Sequence, residues 1–306
     1  MNRNIFAGLL EIVKDRVKQR EVLSGYTSFH IGGPARYFVE VNDLKELERT
    51  VKFLKEKKTD YFVLGCGTNV LFSDRGLKGV VIKLGGEFSN FSIAGRILTC
   101  GAAVKLPVLL KAAVERKLTG LEFSCGIPGS MGGAIVSNAG TVLGTIKDVL
   151  SEVKVMSKTG KIKSVTAEDL KLSYRHSEIE NNDIITGARL VLKESDTDEI
   201  CKKIEAVKRK RGLQPSEWNN AGSVFKNPAA GVSAGELIDR AGFKGFNVNG
   251  ACVSEKHANF IINKLSASSK DVSRLISLIK KKVKKESGAE LKEEIKVINY
   301  NGRCLT

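Results

Sequence analysis

Gly126-Ile127-Pro128-Gly129-Ser130-Met131-Gly132-Gly133-Ala134 is the stretch that decides the fold of this chain. Pro128 fixes one backbone dihedral. Gly129, Gly132 and Gly133 remove side chains, and Ala134-Ile135-Val136 can open a helical turn. Bare amides at a helix start bind phosphate, and Ser137-Asn138-Ala139-Gly140 brings a second bare segment close behind. So many small residues weaken a fold unless something lies against them, because glycine loses the most backbone freedom on ordering. That partner is either a phosphate-bearing cofactor or another element packed tightly on the loop, and the spacing favours the cofactor.

A second loop, Gly65-Cys66-Gly67-Thr68-Asn69, follows the short apolar strand 61–64. A dinucleotide-binding turn needs a third glycine and then a helix. Glu87 stands where the ribose carboxylate of that motif is expected, but Val70 replaces the third glycine and Ser73-Asp74-Arg75-Gly76 cannot run on as a helix. What remains is a compact turn. Its amides, with Thr68 and Asn69, can form an anion-binding nest, or simply close a tight turn.

Outward from the loops, the pattern is mixed α/β. Strands are expected at 36–41, 61–64, 79–84, 91–93, 97–100, 149–157 and 183–193, with Arg189 facing solvent. Asp43 and Glu46 stand at capping-box spacing for a helix to about 57, and Pro107 sits in the first turn of a helix over 106–117. A helix over 196–211 ends at Gly212. Gln214 to Gly222 reads as a linker, followed by helices at 233–241 and 268–287 and a last strand at 294–298. The reading is an α+β chain: an N-terminal helix within 1–24 packing on a two-lobed cofactor domain at 25–198, a connecting helix at 199–212, and a smaller substrate-binding domain at 213–306.

Composition bounds the alternatives. The chain has 306 residues and 42% hydrophobic content, enough for about two or three domains. No apolar run approaches the roughly 20 residues that span a bilayer. The first residues lack the core and cleavage site of a signal peptide, so a cytoplasmic protein is expected. Six scattered cysteines without C-x-x-C spacing and only three histidines suggest no zinc site or disulfide framework. The formal charge of +16 brings nucleic acid into consideration. However, Lys202-Lys203, Lys208-Arg209-Lys210-Arg211 and Lys280 to Lys285 all lie on helices with apolar residues at helical spacing. No aromatic residues interleave with them, so they read as solvated outer faces.

Three further phrases are hard to explain as plain structure: Leu172-Ser173-Tyr174-Arg175-His176-Ser177, Gly222-Ser223-Val224-Phe225-Lys226-Asn227-Pro228 and Glu290-Leu291-Lys292-Glu293-Glu294-Ile295. A permanent cation, a hydroxyl and a carboxylate are the groups needed to add hydride and proton across a carboxylate-bearing double bond. Any one of them alone is a surface residue or a cap.

The two glycine loops resemble the FAD-binding domain of the vanillyl-alcohol-oxidase type. Together with Tyr174-Arg175, the Ser223 phrase and His257-Ala258-Asn259-Phe260-Ile261-Ile262-Asn263, the chain resembles the UDP-N-acetylenolpyruvoylglucosamine reductase (MurB) family from about Thr27 to Ile298. The resemblance implies FAD reduced by NADPH, and hydride passed from flavin N5 to the enolpyruvyl ether of UDP-N-acetylglucosamine-enolpyruvate. Non-covalent FAD is expected, because no histidine or cysteine can be assigned to a flavin attachment point although Cys66 and Cys125 lie in the loops. It implies Arg175, Ser223 and Glu294 as catalytic residues: Arg175 and Glu294 steady the enolate and Ser223 donates the proton. It implies Gly65, Cys66, Gly67, Thr68, Asn69, Gly126, Ile127, Pro128, Gly129, Ser130, Gly132, Gly133, Asn138 and Gly140 at the flavin. Tyr174, Lys226, Asn227, His257 and Asn259 are implied at the substrate. Glu293 competes with Glu294, which is preferred because Ile295 to Ile298 aligns the following strand. Thr141-Val142 departs from the small-aromatic pair usual in the family. Only six residues lie between Ser177 and Ile184, so the tyrosine-bearing insertion of the longer form has no room and the chain is similar to the shorter form. A monomer without nucleic-acid or membrane partners is expected. Another FAD-dependent oxidase or reductase, and a basic nucleic-acid-binding protein, are the competing readings.

Overall fold

A computed structural model describes residues 3–179, 183–215 and 219–306. The chain forms two compact units. The first comprises the chain up to Gln19, Tyr37–Cys66 and Val80–Arg211; the second comprises Arg20–Arg36, Gly67–Gly79 and Gly212–Thr306. This partition differs from the expected linear one, and the reason is pairing across long stretches of chain. Val70–Phe72 lies parallel to Lys296–Ile298. Phe29, Ile31 and Leu71 are buried in the same core as Phe225, Ile261 and Ile295, so early segments are built into the C-terminal unit.

The first unit has two apolar cores, which are its two lobes. In one, strands are ordered Val17–Val22, Pro34–Val41, Leu77–Leu84, Tyr61–Val63, the last pair parallel. Helices α1 (Arg3–Val13) and α2 (Leu44–Glu56) contribute Leu9, Val13, Leu47, Val51 and Leu54 to the core with Val39, Val41 and Ile82. Asp43 caps α2 by accepting from Glu46 N at 2.8 Å. The expected capping box is only half made: Glu46 accepts from Asn42 N instead and pairs with Arg16 at 2.8 Å.

The other lobe is a five-stranded antiparallel sheet in the order Ile162–Thr166, Leu150–Met156, Ile184–Val191, Ile97–Gly101, Phe91–Ala94. Arg189 faces solvent, as its alternation in that strand requires. Three helices belong here: α3 (Leu106–Glu115), with Pro107 in its first turn, α4 (Met131–Val136) and α5 (Thr197–Arg211). The core joins Leu98, Leu106, Leu109, Met131, Ile135, Val153 and Leu190. Burying each such aliphatic side chain contributes about 1.5–3 kcal/mol.

The second unit carries an antiparallel sheet ordered Asn220–Ser223, Phe260–Asn263, Ala251–Val253, Asn247–Val248. The expected linker at 214–222 is therefore shorter: its end is strand, and residues 216–218 lie outside the described residues. Helix α6 (Ala234–Arg240) is capped by Ser233. Helix α7 (Ser269–Ser287) has a complete capping box between Ser268 and Asp271, and it stops at Gly288 in the left-handed region (φ 70°). Ile279 and Val283 of α7 are buried while Lys281, Lys282, Lys284 and Lys285 are exposed. The lysine run is thus a solvated face.

Candidate active site

The glycine-rich loop is pinned at both ends. Leu106 N donates to Gly129 O at 2.9 Å, Met131 N to Val104 O at 2.8 Å, and Gly132 N to Ala102 O at 2.9 Å. The idea that α4 offers its first amides to a phosphate therefore fails for Met131 and Gly132, whose N–H groups are held by the chain itself. Ile127 N closes a turn onto Ser124 O, ahead of Pro128. Ser130 is buried, with its hydroxyl close to where a side chain on Gly65 or Gly133 would begin.

The glycines divide by cause. Gly140 abuts Gly144 and Thr145 so closely that packing alone excludes a side chain there, and a Cβ on Gly132 would press on Ala102 at 3.1 Å. In the second unit, Gly67 (φ 67°) sits against the Tyr26 carbonyl. Gly129 is different. A Cβ there would meet nothing nearer than Ile127 at 3.7 Å and Leu106 at 3.9 Å, and its φ is outside the left-handed region. Gly133 is exposed with only Ser130 Oγ within reach, at 3.5 Å. Neither packing nor backbone strain requires glycine at these two positions. A bare backbone bordering open space is a cradle that a bound group can lie against, and the residues fit a flavin dinucleotide.

Behind the loop, Asn138 is buried, with φ 40°. Its Nδ2 donates to Ser173 O at 2.9 Å and its Oδ1 accepts from Lys147 N at 3.1 Å. Ser177 Oγ donates to Val136 O at 2.8 Å. These bonds clamp the 173–177 turn, closed by mutual Ser173 and His176 backbone bonds, onto 136–140. Arg175 stands at the tip of this turn with φ 52°, a conformation that a non-glycine residue adopts only where its surroundings impose it. Its Nη2 donates to Gly140 O at 2.9 Å, and its guanidinium lies over the Tyr174 ring, 5.4 Å from the centroid. Tyr174 is exposed, so it is no core residue.

Ser223 and Glu294 are both in the second unit, on neighbouring segments. Ser223 ends the strand opposite Phe260. The next residue, Val224, accepts from Glu294 N at 2.7 Å and donates to Asn259 O at 2.8 Å. Lys226 N donates to Lys292 O, and Asn69 Nδ2 donates to Glu294 O at 3.2 Å. Thr68, beside it, is half-buried, as is Cys66 in the first unit. Glu293 turns away to Lys280, with Oε1 2.8 Å from Nζ.

Two residues expected at the substrate have other work. Asn259 is buried, and its amide pairs with both backbone groups of Phe225: Phe225 N to Oδ1 at 2.9 Å and Nδ2 to Phe225 O at 2.8 Å. It holds the Ser223 phrase in place rather than presenting itself to a ligand. Asn227 Oδ1 accepts from Ala234 N at 3.0 Å, supporting the start of α6. His257 Nδ1 accepts from Asn259 N at 3.2 Å, and burial above all, with the charge of Lys244, holds its pKa below the usual imidazole value. The positioning roles of Asn138 and Asn259 left no mark in the sequence, since an asparagine that bonds distant backbone looks like any other.

Comparison with known proteins bears on these residues. Residues 35–166 match the family model of an FAD binding domain, and residues 214–298 that of the UDP-N-acetylenolpyruvoylglucosamine reductase C-terminal domain. The UDP-N-acetylenolpyruvoylglucosamine reductase of Syntrophomonas wolfei is 41% identical over 93% of this chain and 95% of that protein. That of Caldanaerobacter subterraneus is 40% identical over 95% and 96%. The crystal structure of the reductase from Thermus caldophilus superposes with a TM-score of 0.82 at 38% identity, covering 92% of this chain and 98% of that one. Phl p 4, a glucose dehydrogenase, shares the fold alone, at 13% identity and TM-score 0.51 over 63% of this chain. Fold and loops thus define an FAD-dependent oxidoreductase. The chain belongs to the UDP-N-acetylenolpyruvoylglucosamine reductase (MurB) family.

Proposed function

We propose that this chain reduces UDP-N-acetylglucosamine-enolpyruvate to UDP-N-acetylmuramate, a step in peptidoglycan precursor synthesis, with NADPH as reductant. FAD held along the loop at Gly129 and Gly133 would supply the hydride-transfer chemistry between NADPH and the substrate double bond. The chain's own residues have the remaining tasks. Delivery of hydride leaves negative charge on the substrate carboxylate, and fixed charge or hydrogen-bond donors aimed there lower the barrier. We assign this to Arg175, anchored on Gly140 O, and to Glu294, whose carboxyl can donate a hydrogen bond there only if it carries a proton at the moment of transfer. Ser223 gives the proton to the carbon bearing the carboxylate. A free serine is a poor acid, so its alkoxide needs a neighbouring cation, and Lys226, three residues on, is the nearest in sequence.

The observation that carries the assignment is the Glu294 N to Val224 O bond, which ties the serine and glutamate phrases together while Glu293 is held by Lys280. Lys226 and His257 are retained as substrate-side residues, Asn259 as their support. We place the enzyme in the cytoplasm, where NADPH is available, as a monomer. No described helix is long and apolar enough to cross a membrane.

Separate measurement of the two half-reactions tests the roles. In Ser223→Ala, reduction of the flavin by NADPH should proceed nearly as in the parent, since it needs no proton at the substrate carbon. Oxidation of the reduced enzyme by the enolpyruvyl substrate should slow by about 10²–10⁴, and Ser223→Cys should keep more activity than alanine. Equal slowing of both steps, or a change in KM alone, removes the proton-donor role.

A further inference from the structure

The basic run that ends α5 does not behave as one unit. Lys208, Arg209 and Lys210 are exposed, as a solvated helix face should be. Arg211 instead folds inward onto the start of the glycine-rich loop, within the first unit. A Cβ built on Gly126 would lie 2.6 Å from Arg211 Nε and 3.0 Å from its Cδ, so the guanidinium stem rests directly on that glycine. Gly126 itself is exposed and has φ 74°. Burial lowers the Arg211 pKa, and among the described residues the group that moves it the other way is the Cys125 thiol. Among the described residues, the ion pairs and side-chain hydrogen bonds of the first unit leave the Arg211 guanidinium without a carboxylate or carbonyl partner.

A partly desolvated guanidinium without a counter-charge is costly, and a helix C-terminus alone draws a cation to its last carbonyls, which this side chain does not bond. Guanidinium groups match phosphate oxygens with paired, charge-assisted hydrogen bonds. The neighbouring loop borders open space at Gly129 and Gly133.

We infer that Arg211 is a phosphate-binding residue, placed by the end of α5 against Cys125 and Gly126 to take a phosphate group of the dinucleotide held along this loop. The flavin dinucleotide is the favoured source, because Gly126 belongs to the same domain match as the rest of the cradle. The inference rests on the flavin-dependent reading, and its test is separable from it, since it reads affinities rather than turnover alone.

The full chain is stripped of flavin and titrated with FAD and with riboflavin, which lacks phosphate, for the parent, Arg211→Gln and Arg211→Lys. Loss of a charge-assisted phosphate contact should weaken FAD binding by about tenfold to a hundredfold in Arg211→Gln. Riboflavin binding should stay unchanged, and lysine should restore part of the loss. If FAD affinity holds while KM for NADPH or for the UDP-linked substrate rises by a similar factor, the phosphate belongs to that ligand instead. Equal loss of FAD and riboflavin binding, or no change in any of the four quantities, overturns the inference. A chain that fails to bind flavin in any variant would instead contradict the reading of the cradle.

Discussion

Valine at Gly129 separates the two uses of a small residue. The surroundings leave room for a Cβ, with the nearest atoms at 3.7 and 3.9 Å, and φ imposes no strain. Gly129→Val should therefore fold with a Tm within a few degrees of the parent, about 2–4 °C corresponding to each kcal/mol at this size. It should also emerge largely free of flavin, because the added methyls occupy the face that the cofactor needs. An unstable variant that still binds FAD stoichiometrically would show that the loop is small only to pack. At Asn259 the expected loss is structural. Asn259→Ala removes the partners of both backbone groups of Phe225. Leaving buried groups unpaired costs about 1–3 kcal/mol each, so urea unfolding should shift clearly. NADPH reduction of the flavin should be nearly spared.

At the scale of elements, α7 was legible because each of its signals is local: Ser268 and Asp271 close the capping box, apolar residues recur at helical spacing, and Gly288 stops the helix. Ser268→Ala should lower stability by about 1 kcal/mol, measured by denaturant titration. The second unit's sheet was less legible, because Asn220–Ser223 finds its partner only forty residues on, at Phe260–Asn263. A run of Asn, Ala and Gly carries no strand signal of its own, so it read as linker. His257 gives this region a pH dependence. Its folded pKa is lowered by burial, whereas the unfolded chain titrates near 6.5. As pH falls through about 6.5 the unfolded state takes up the proton first, so stability declines with acid and levels off below the folded pKa. Protonation also removes the Nδ1 acceptor that holds Asn259 N. Stability measured between pH 7.5 and 5 should slope for the parent and slope less for His257→Phe; parallel curves would remove this account.

Across the whole molecule, the phrases that bear chemistry could be read in order along the chain, whereas the partition into units could not. Residues 20–36 and 67–79 join the C-terminal unit through the parallel pairing of Val70–Phe72 with Lys296–Ile298 and the burial of Phe29 and Leu71. Parallel pairing at a separation of more than two hundred residues has no local signature. Arg211 escaped for a related reason: a basic run at the end of a helix looks solvated until one knows which residue turns inward. The central claim concerns the reaction, and it is tested most directly by following NADPH oxidation by the purified yellow protein with and without UDP-N-acetylglucosamine-enolpyruvate, in the absence of oxygen. The account predicts sustained oxidation only with that substrate, one NADPH consumed for each lactyl ether formed. A colourless protein, or NADPH consumption that needs oxygen and ignores the enolpyruvyl substrate, would contradict it.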